Sequence, residues 1–132
     1  MFLALIAISS YICVVDIKSH LITNRALGFA SLTFLSLSAL TQRHVHPLTG
    51  LLVILVTPFI LKLGIGAGDI KLLILLTFFF IPFSWKVGTE FLLSFSYICL
   101  ALLAERLVRS HSLAGSIALA PAICGAVIWC AR

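Results

Sequence analysis

The chain has 132 residues, of which 62% are hydrophobic and only 10% charged, and its mean hydropathy is +1.25. That composition excludes an ordinary soluble domain and points to an integral membrane protein. The net charge of +5 arises from nine Lys and Arg against four Asp and Glu; the basic residues are scattered among the turns between apolar runs, so they read as topology signals, and no nucleic-acid partner is expected.

Interruptions of the apolar run predict six helices, at about 1–15, 26–41, 48–63, 70–85, 88–108 and 113–131, spans of roughly 15 to 21 residues against the ~20 needed to cross a bilayer. Backbone groups in lipid must be paired internally, and the runs lack the alternation of barrel strands. The expected fold is therefore an all-α membrane protein, a bundle of about six transmembrane helices in a single domain, 1–132. The first segment has no basic stretch ahead of it and no small-x-small cleavage site, so it is expected to stay in the mature protein. Along it Ser9, Cys13, Asp16 and His20 recur at steps of four, three and four and share one helical face. Ser9 and Cys13 fit either a small-residue packing seam or a wet cleft.

Counting charges sets the orientation. Lys18, Arg25, Lys62, Lys71, Arg106 and Arg109 fall on one side, and Arg43, Lys86 and Arg132 on the other. The excess side is cytoplasmic by the positive-inside rule, so both termini are expected outside. Trp85 and Trp129 then mark the outer ends of the fourth and sixth helices, as interfacial anchors or as core residues.

Asp16 and Asp69 are half of the acidic residues, and the topology brings them to the same cytoplasmic face. A carboxylate at membrane depth costs roughly 2.5 to 3.5 kcal/mol even on lenient insertion scales, so it marks a proton relay, an ion path or a catalytic site. Asp69 closes the run Gly64-Ile65-Gly66-Ala67-Gly68-Asp69, which reads as non-helical. Gly66 and Gly68 suit a backbone conformation closed to bulkier residues, a close approach by substrate backbone, or an ordinary loop. Lys18 and Lys71 each follow an aspartate by two positions and so face away from it, as topology anchors or headgroup contacts. Asn24 is expected to cap the second helix or to bond into the site. Pro121 kinks the sixth helix or opens a groove, beside a small-residue stripe of Gly115, Ala118, Ala122 and Gly125. Glu105 with Arg106 and Arg109 reads as an interfacial ion cluster, and Glu90 lies toward the outer face. Cys13, Cys99, Cys124 and Cys130 lie in predicted spans without metal-ligand spacing, and His44 and His46 have no companion ligand, so no metal, cofactor or disulfide framework is expected.

These residues carry a family resemblance. Asp16-Ile17-Lys18-Ser19-His20-Leu21-Ile22-Thr23-Asn24 resembles the first motif of the type IV prepilin peptidases, with Thr23 where that family commonly has proline. Gly66-Ala67-Gly68-Asp69-Ile70-Lys71-Leu72 resembles their GxGD motif, and Ala118-Leu119-Ala120-Pro121-Ala122 is similar to their proline-containing last segment. The likeness is to the short single-domain form of tight-adherence and conjugative pilus systems. The paired CxxC motifs and N-methyltransferase activity of bifunctional members have no counterpart here, so methylation is not expected.

The resemblance implies a GxGD-type aspartic endopeptidase of the bacterial inner membrane that removes the short basic leader from prepilins or pseudopilins on the cytoplasmic side. Asp16 and Asp69 would form the catalytic dyad, with Gly66, Gly68, Lys71, Asn24 and Pro121 in support. Two carboxylates suit that chemistry, one acting as base toward water and the other donating to the scissile carbonyl. A basic enzyme face gains no Coulomb attraction from a basic leader, so recognition would rest on helix packing, backbone contacts and anionic membrane lipids. The alternatives are a non-catalytic pilus-assembly scaffold and a proton-coupled transporter; the latter calls for acids nearer the midplane and paired broken helices. Presenilin-like proteases share the GxGD mechanism but not the Asp16 to Asn24 segment.

Overall fold

The computed structural model describes residues 2–19, 22–42, 45–62, 65–110 and 119–132, and these form helices with no strand among them. The six are α1 (Phe2–Ser19), α2 (Asn24–Thr41), α3 (Pro47–Lys62), α4 (Ala67–Phe80), α5 (Trp85–Ser110) and α6 (Ala120–Cys130). His20, Arg43, His44, Gly64, Gly115 and Ala118, and the start of the expected sixth span at 113–118, lie outside the described residues.

Local chemistry accounts for the helix ends. Thr23 precedes α2 in an extended conformation, φ −72° and ψ 141°, and its hydroxyl accepts a hydrogen bond from Ala26 N at 3.3 Å. Thr23, not Asn24 as expected, is the cap, because an N-cap must lie one residue outside the helix with its oxygen turned back on the first turn. Pro82 disfavours helical backbone at the residue before it, and Ile81 is extended at φ −109° and ψ 107°. The fourth helix therefore stops at Phe80, and Trp85 opens α5 instead of closing the helix before it. Pro121 stands in the first turn of α6, where its missing N–H breaks no helical bond. It begins a helix where a kink was one expectation.

Two helices occupy the centre. α4 packs on α2, α3 and α6, while α6 packs on α1, α4 and α5. Among the described residues no Cα of α1 comes within 8 Å of one in α4. The core joins Leu5 and Ile12 of α1, Leu27, Ala30 and Phe34 of α2, Leu72, Leu76, Phe79 and Phe80 of α4, and Ile123 and Val127 of α6. Phe34 is wholly buried; its ring meets Phe80 edge-on at 5.1 Å and Phe79 at 5.8 Å, separations at which aromatic pairs attract beyond simple burial. Close approach is bought with glycine at two seams: a Cβ on Gly50 would stand 3.1 Å from Phe78 Cδ2, and one on Gly125 2.8 Å from Ile98 Cδ1. The second seam includes the described part of the small-residue stripe.

The exterior is apolar: Leu3, Leu40, Leu55, Phe59, Leu93 and Val108 are all largely exposed. α5 contains a stretch, Trp85–Val108, of mean hydropathy 1.8 that is long and apolar enough to cross a membrane; α3 and α6 are apolar but shorter. Hydroxyls on these helices turn inward to their own backbone. Thr33 donates to Phe29 O at 2.7 Å, Ser36 to Leu32 O at 2.9 Å, Thr57 to Val53 O at 2.9 Å and Thr77 to Leu73 O at 2.8 Å. Such back-bonding satisfies a polar group where no water is at hand.

The centre of this packing is testable. Phe34→Ala should destabilise the protein by about 3 kcal/mol, the lower end of the large-to-small range because lipid-like solvent offers less transfer energy than water. Reversible unfolding in mixed micelles measures it. Leu55→Ala on the exposed face should change stability by less than about 0.5 kcal/mol.

Candidate active site

The C-terminal end of α1 and the N-terminal ends of α4 and α6 meet at one end of the bundle. Asp16 lies one turn from the end of α1 and is only 5% exposed. Its Oδ2 accepts a hydrogen bond from Ala120 N, the first residue of α6, at 3.2 Å. The opening N–H groups of a helix have no intrahelical acceptor and carry the positive end of the helix dipole, so a carboxylate there is satisfied on both counts. Sequence reasoning singled out Asp16 but missed this contact. Pro121 held the clue, since a proline entering an apolar run marks a helix start and hence unpaired N–H groups.

Asp69 occupies the first turn of α4 and is partly buried. Gly66 immediately precedes that helix at φ −62° and ψ 142°, a conformation open to any residue. Its requirement is therefore room: a Cβ at Gly66 would stand 3.2 Å from Asp69 Oδ2. Gly68 is inside the first turn, where a Cβ would stand 3.3 Å from Ile22 Cβ and 3.6 Å from Ile22 O. The expected non-helical glycine run thus ends at Gly66, and space rather than unusual backbone explains both glycines.

Asp16 and Asp69 stand on helices whose Cα atoms stay more than 8 Å apart among the described residues, with the two carboxylates near enough to interact electrostatically. α6 bridges the gap, since it packs on both α1 and α4. Lys71, expected to serve as an anchor or headgroup contact, also donates from Nζ to Asn24 Oδ1 at 3.0 Å. That bond ties α4 to the first residue of α2, and it is where the amide of Asn24 goes now that Thr23 caps the helix.

Behind Asp16 the small polar face of α1 is closed. Ser9 is 2% exposed and its Oγ makes no hydrogen bond, while the Cys13 thiol lies beside that of Cys124 on α6. Ser9 and Cys13 therefore belong to a packing seam between α1 and α6. The pairing of Cys13 with Cys124 was invisible in sequence, because nothing in the spacing relates the first helix to the last. His46 is remote from this end: its N–H donates to Phe78 O, near the end of α4, at 2.7 Å.

No curated protein and no solved structure matches the chain. The type IV leader peptidase family model, in contrast, matches residues 3–130. That match takes in all six helices and both aspartates, and the chain therefore belongs to the type IV leader peptidase family.

Proposed function

We propose that this peptidase is an aspartic endopeptidase that removes the short basic leader from a type IV prepilin or pseudopilin, with Asp16 and Asp69 as its dyad. The observation that carries the reading is the convergence of the two carboxylates from separate helices at one end of the bundle, within electrostatic reach, in a member of the leader peptidase family. Two carboxylates brought close together can hold one proton between them. One then takes a proton from water as the water oxygen attacks the scissile carbonyl, while the other protonates the carbonyl oxygen; collapse breaks the C–N bond, and the departing amine leaves with a proton from the dyad.

The membrane placement belongs to the same proposal. Six helices of the inner membrane, with both termini outside, put the ends of α1 and α3 and the starts of α2, α4 and α6 on the cytoplasmic side. The support is the apolar exterior and the concentration of Lys18, Arg25, Lys62 and Lys71 at that end of the helices, as the positive-inside rule requires. The substrate's apolar helix would pack within the bilayer and present its leader junction at this face, with anionic headgroups holding both partners at the surface. The scaffold and transporter readings have no observation of their own in their favour.

Cleavage of a co-expressed prepilin tests the chemistry. Wild type should yield the mature pilin by gel shift and mass, while Asp16→Asn and Asp69→Asn should each lose about 10³-fold or more in rate with insertion and yield unchanged. Wild-type processing by either variant would refute the dyad. Gly66→Val, which places a branched side chain against the Asp69 carboxylate, should lower the rate by about tenfold or more while leaving the unfolding transition near that of wild type, because Gly66 is exposed and outside the core.

A further inference from the structure

The orientation of Asp69 depends on the rotation of α4 about its own axis, and among the described residues no Cα of α1 comes within 8 Å of one in α4. The short segment entering α2 does touch α4. Gly68 lies against Ile22 closely enough that a Cβ would stand 3.3 Å from Ile22 Cβ, and Lys71 Nζ donates to Asn24 Oδ1 at 3.0 Å. Gly68 and Lys71 are three residues apart and so lie on one face of the helix, one turn above the other. Residues 22–24 therefore grip α4 at two points along a line parallel to its axis, which opposes rotation more effectively than either point alone.

Asp69 lies about 100° round the helix from Gly68. With the Gly68 and Lys71 face held on residues 22–24, the carboxylate is turned out of that contact and into electrostatic reach of Asp16. A slip of one residue in the rotation of α4 would swing it away by the same ~100°. Lys71 itself lies about 200° from Asp69, too far round to act on it directly.

We propose that Lys71 and Asn24 form a latch that fixes the rotation of α4 and so aligns Asp69 with Asp16. Both are positioning residues, and the proposal rests on the dyad reading above. Lys71 and Asn24 are exposed at the end of the bundle, so their bond adds little to global stability. A modest bond is nevertheless enough to change the population of the aligned state by about tenfold. The chain from Asp16 leads into the segment that carries Asn24, so the latch joins the stretch following one carboxylate to the turn that bears the other.

The test is steady-state cleavage of a purified prepilin in vesicles by wild type, Lys71→Met, Asn24→Ala, the double variant, Lys71→Arg and Asn24→Asp, with unfolding midpoints measured for each. Each of the first two should lower kcat about tenfold with KM and the midpoint unchanged. The double variant should be no slower than either single one, because both remove the same bond. Lys71→Arg and Asn24→Asp, which keep a donor facing an acceptor, should restore most of the rate. Overturning results are a full rate for Asn24→Ala, additive losses in the double variant, or a loss for Lys71→Met that appears in KM and varies with the anionic-lipid content of the vesicles. Asp69→Asn in the same assay separates the two layers. If it cleaves at the wild-type rate, the dyad and the latch fall together; if it is inactive while Lys71→Met cleaves fully, the latch alone is wrong.

Discussion

The hydrogen bond from Ala120 N to the buried Asp16 carboxylate is the constraint around which this end of the molecule is arranged. A carboxylate that is only 5% exposed needs a polar partner, since burying an unpaired charge costs far more than any packing gain returns. Within α1 the backbone N–H groups around Asp16 are already engaged in the helix and cannot supply one. The start of another helix can, and α6 presents its unpaired N–H groups there. Once α6 is drawn to Asp16, its small residues Ala122, Cys124 and Ala126 are buried with almost no exposed surface, and the helix takes the central place from which it also contacts α4 and α5.

α4 answers a different demand. It must bring a second carboxylate to the same end without packing on α1, and it does so through small residues and one long side chain. The space beside Gly66 receives the Asp69 carboxylate, and the bare face of Gly68 receives Ile22. Lys71 reaches across to Asn24. Farther along, the same helix presents Leu72, Leu76, Phe79 and Phe80 to the core, so its apolar length holds it in place while its first turn is left to orient a functional group. Under the proposed function, apolar packing behind and polar contacts in front is a division suited to a site that would admit a peptide and hold two carboxylates in register.

The helices themselves were legible in the amino-acid order, because interruptions such as Asp16 to Asn24 and the glycine run before Asp69 are strong signals in a chain this apolar. The motifs holding Asp16 and Asp69 were legible for the same reason: charged residues stand out where almost nothing else is charged. The ends were less so. Pro82 overrode the apolar continuity that suggested one helix running to Trp85, and Pro121 began a helix instead of bending one, because the effect of proline depends on which residues around it are already helical. Relations between distant segments were not legible at all. That Ala120 would meet Asp16, Cys124 meet Cys13, or Lys71 meet Asn24 follows from tertiary packing, for which periodicity and spacing carry no signal. The room that Gly66 leaves for the Asp69 carboxylate and Gly68 for Ile22 was not legible either, because only the position of their neighbours reveals it.

The central claim is that two aspartates on separate helices work as one catalytic unit. A double-mutant cycle on single-turnover prepilin cleavage tests it most directly, comparing wild type, each single Asp→Asn variant and the variant carrying both changes. Groups that act as a unit are lost together, so the account predicts that the double variant is about as slow as the slower single variant. Losses that multiply, with the double variant slower by the product of the two single effects, would show two independent carboxylates and contradict the account.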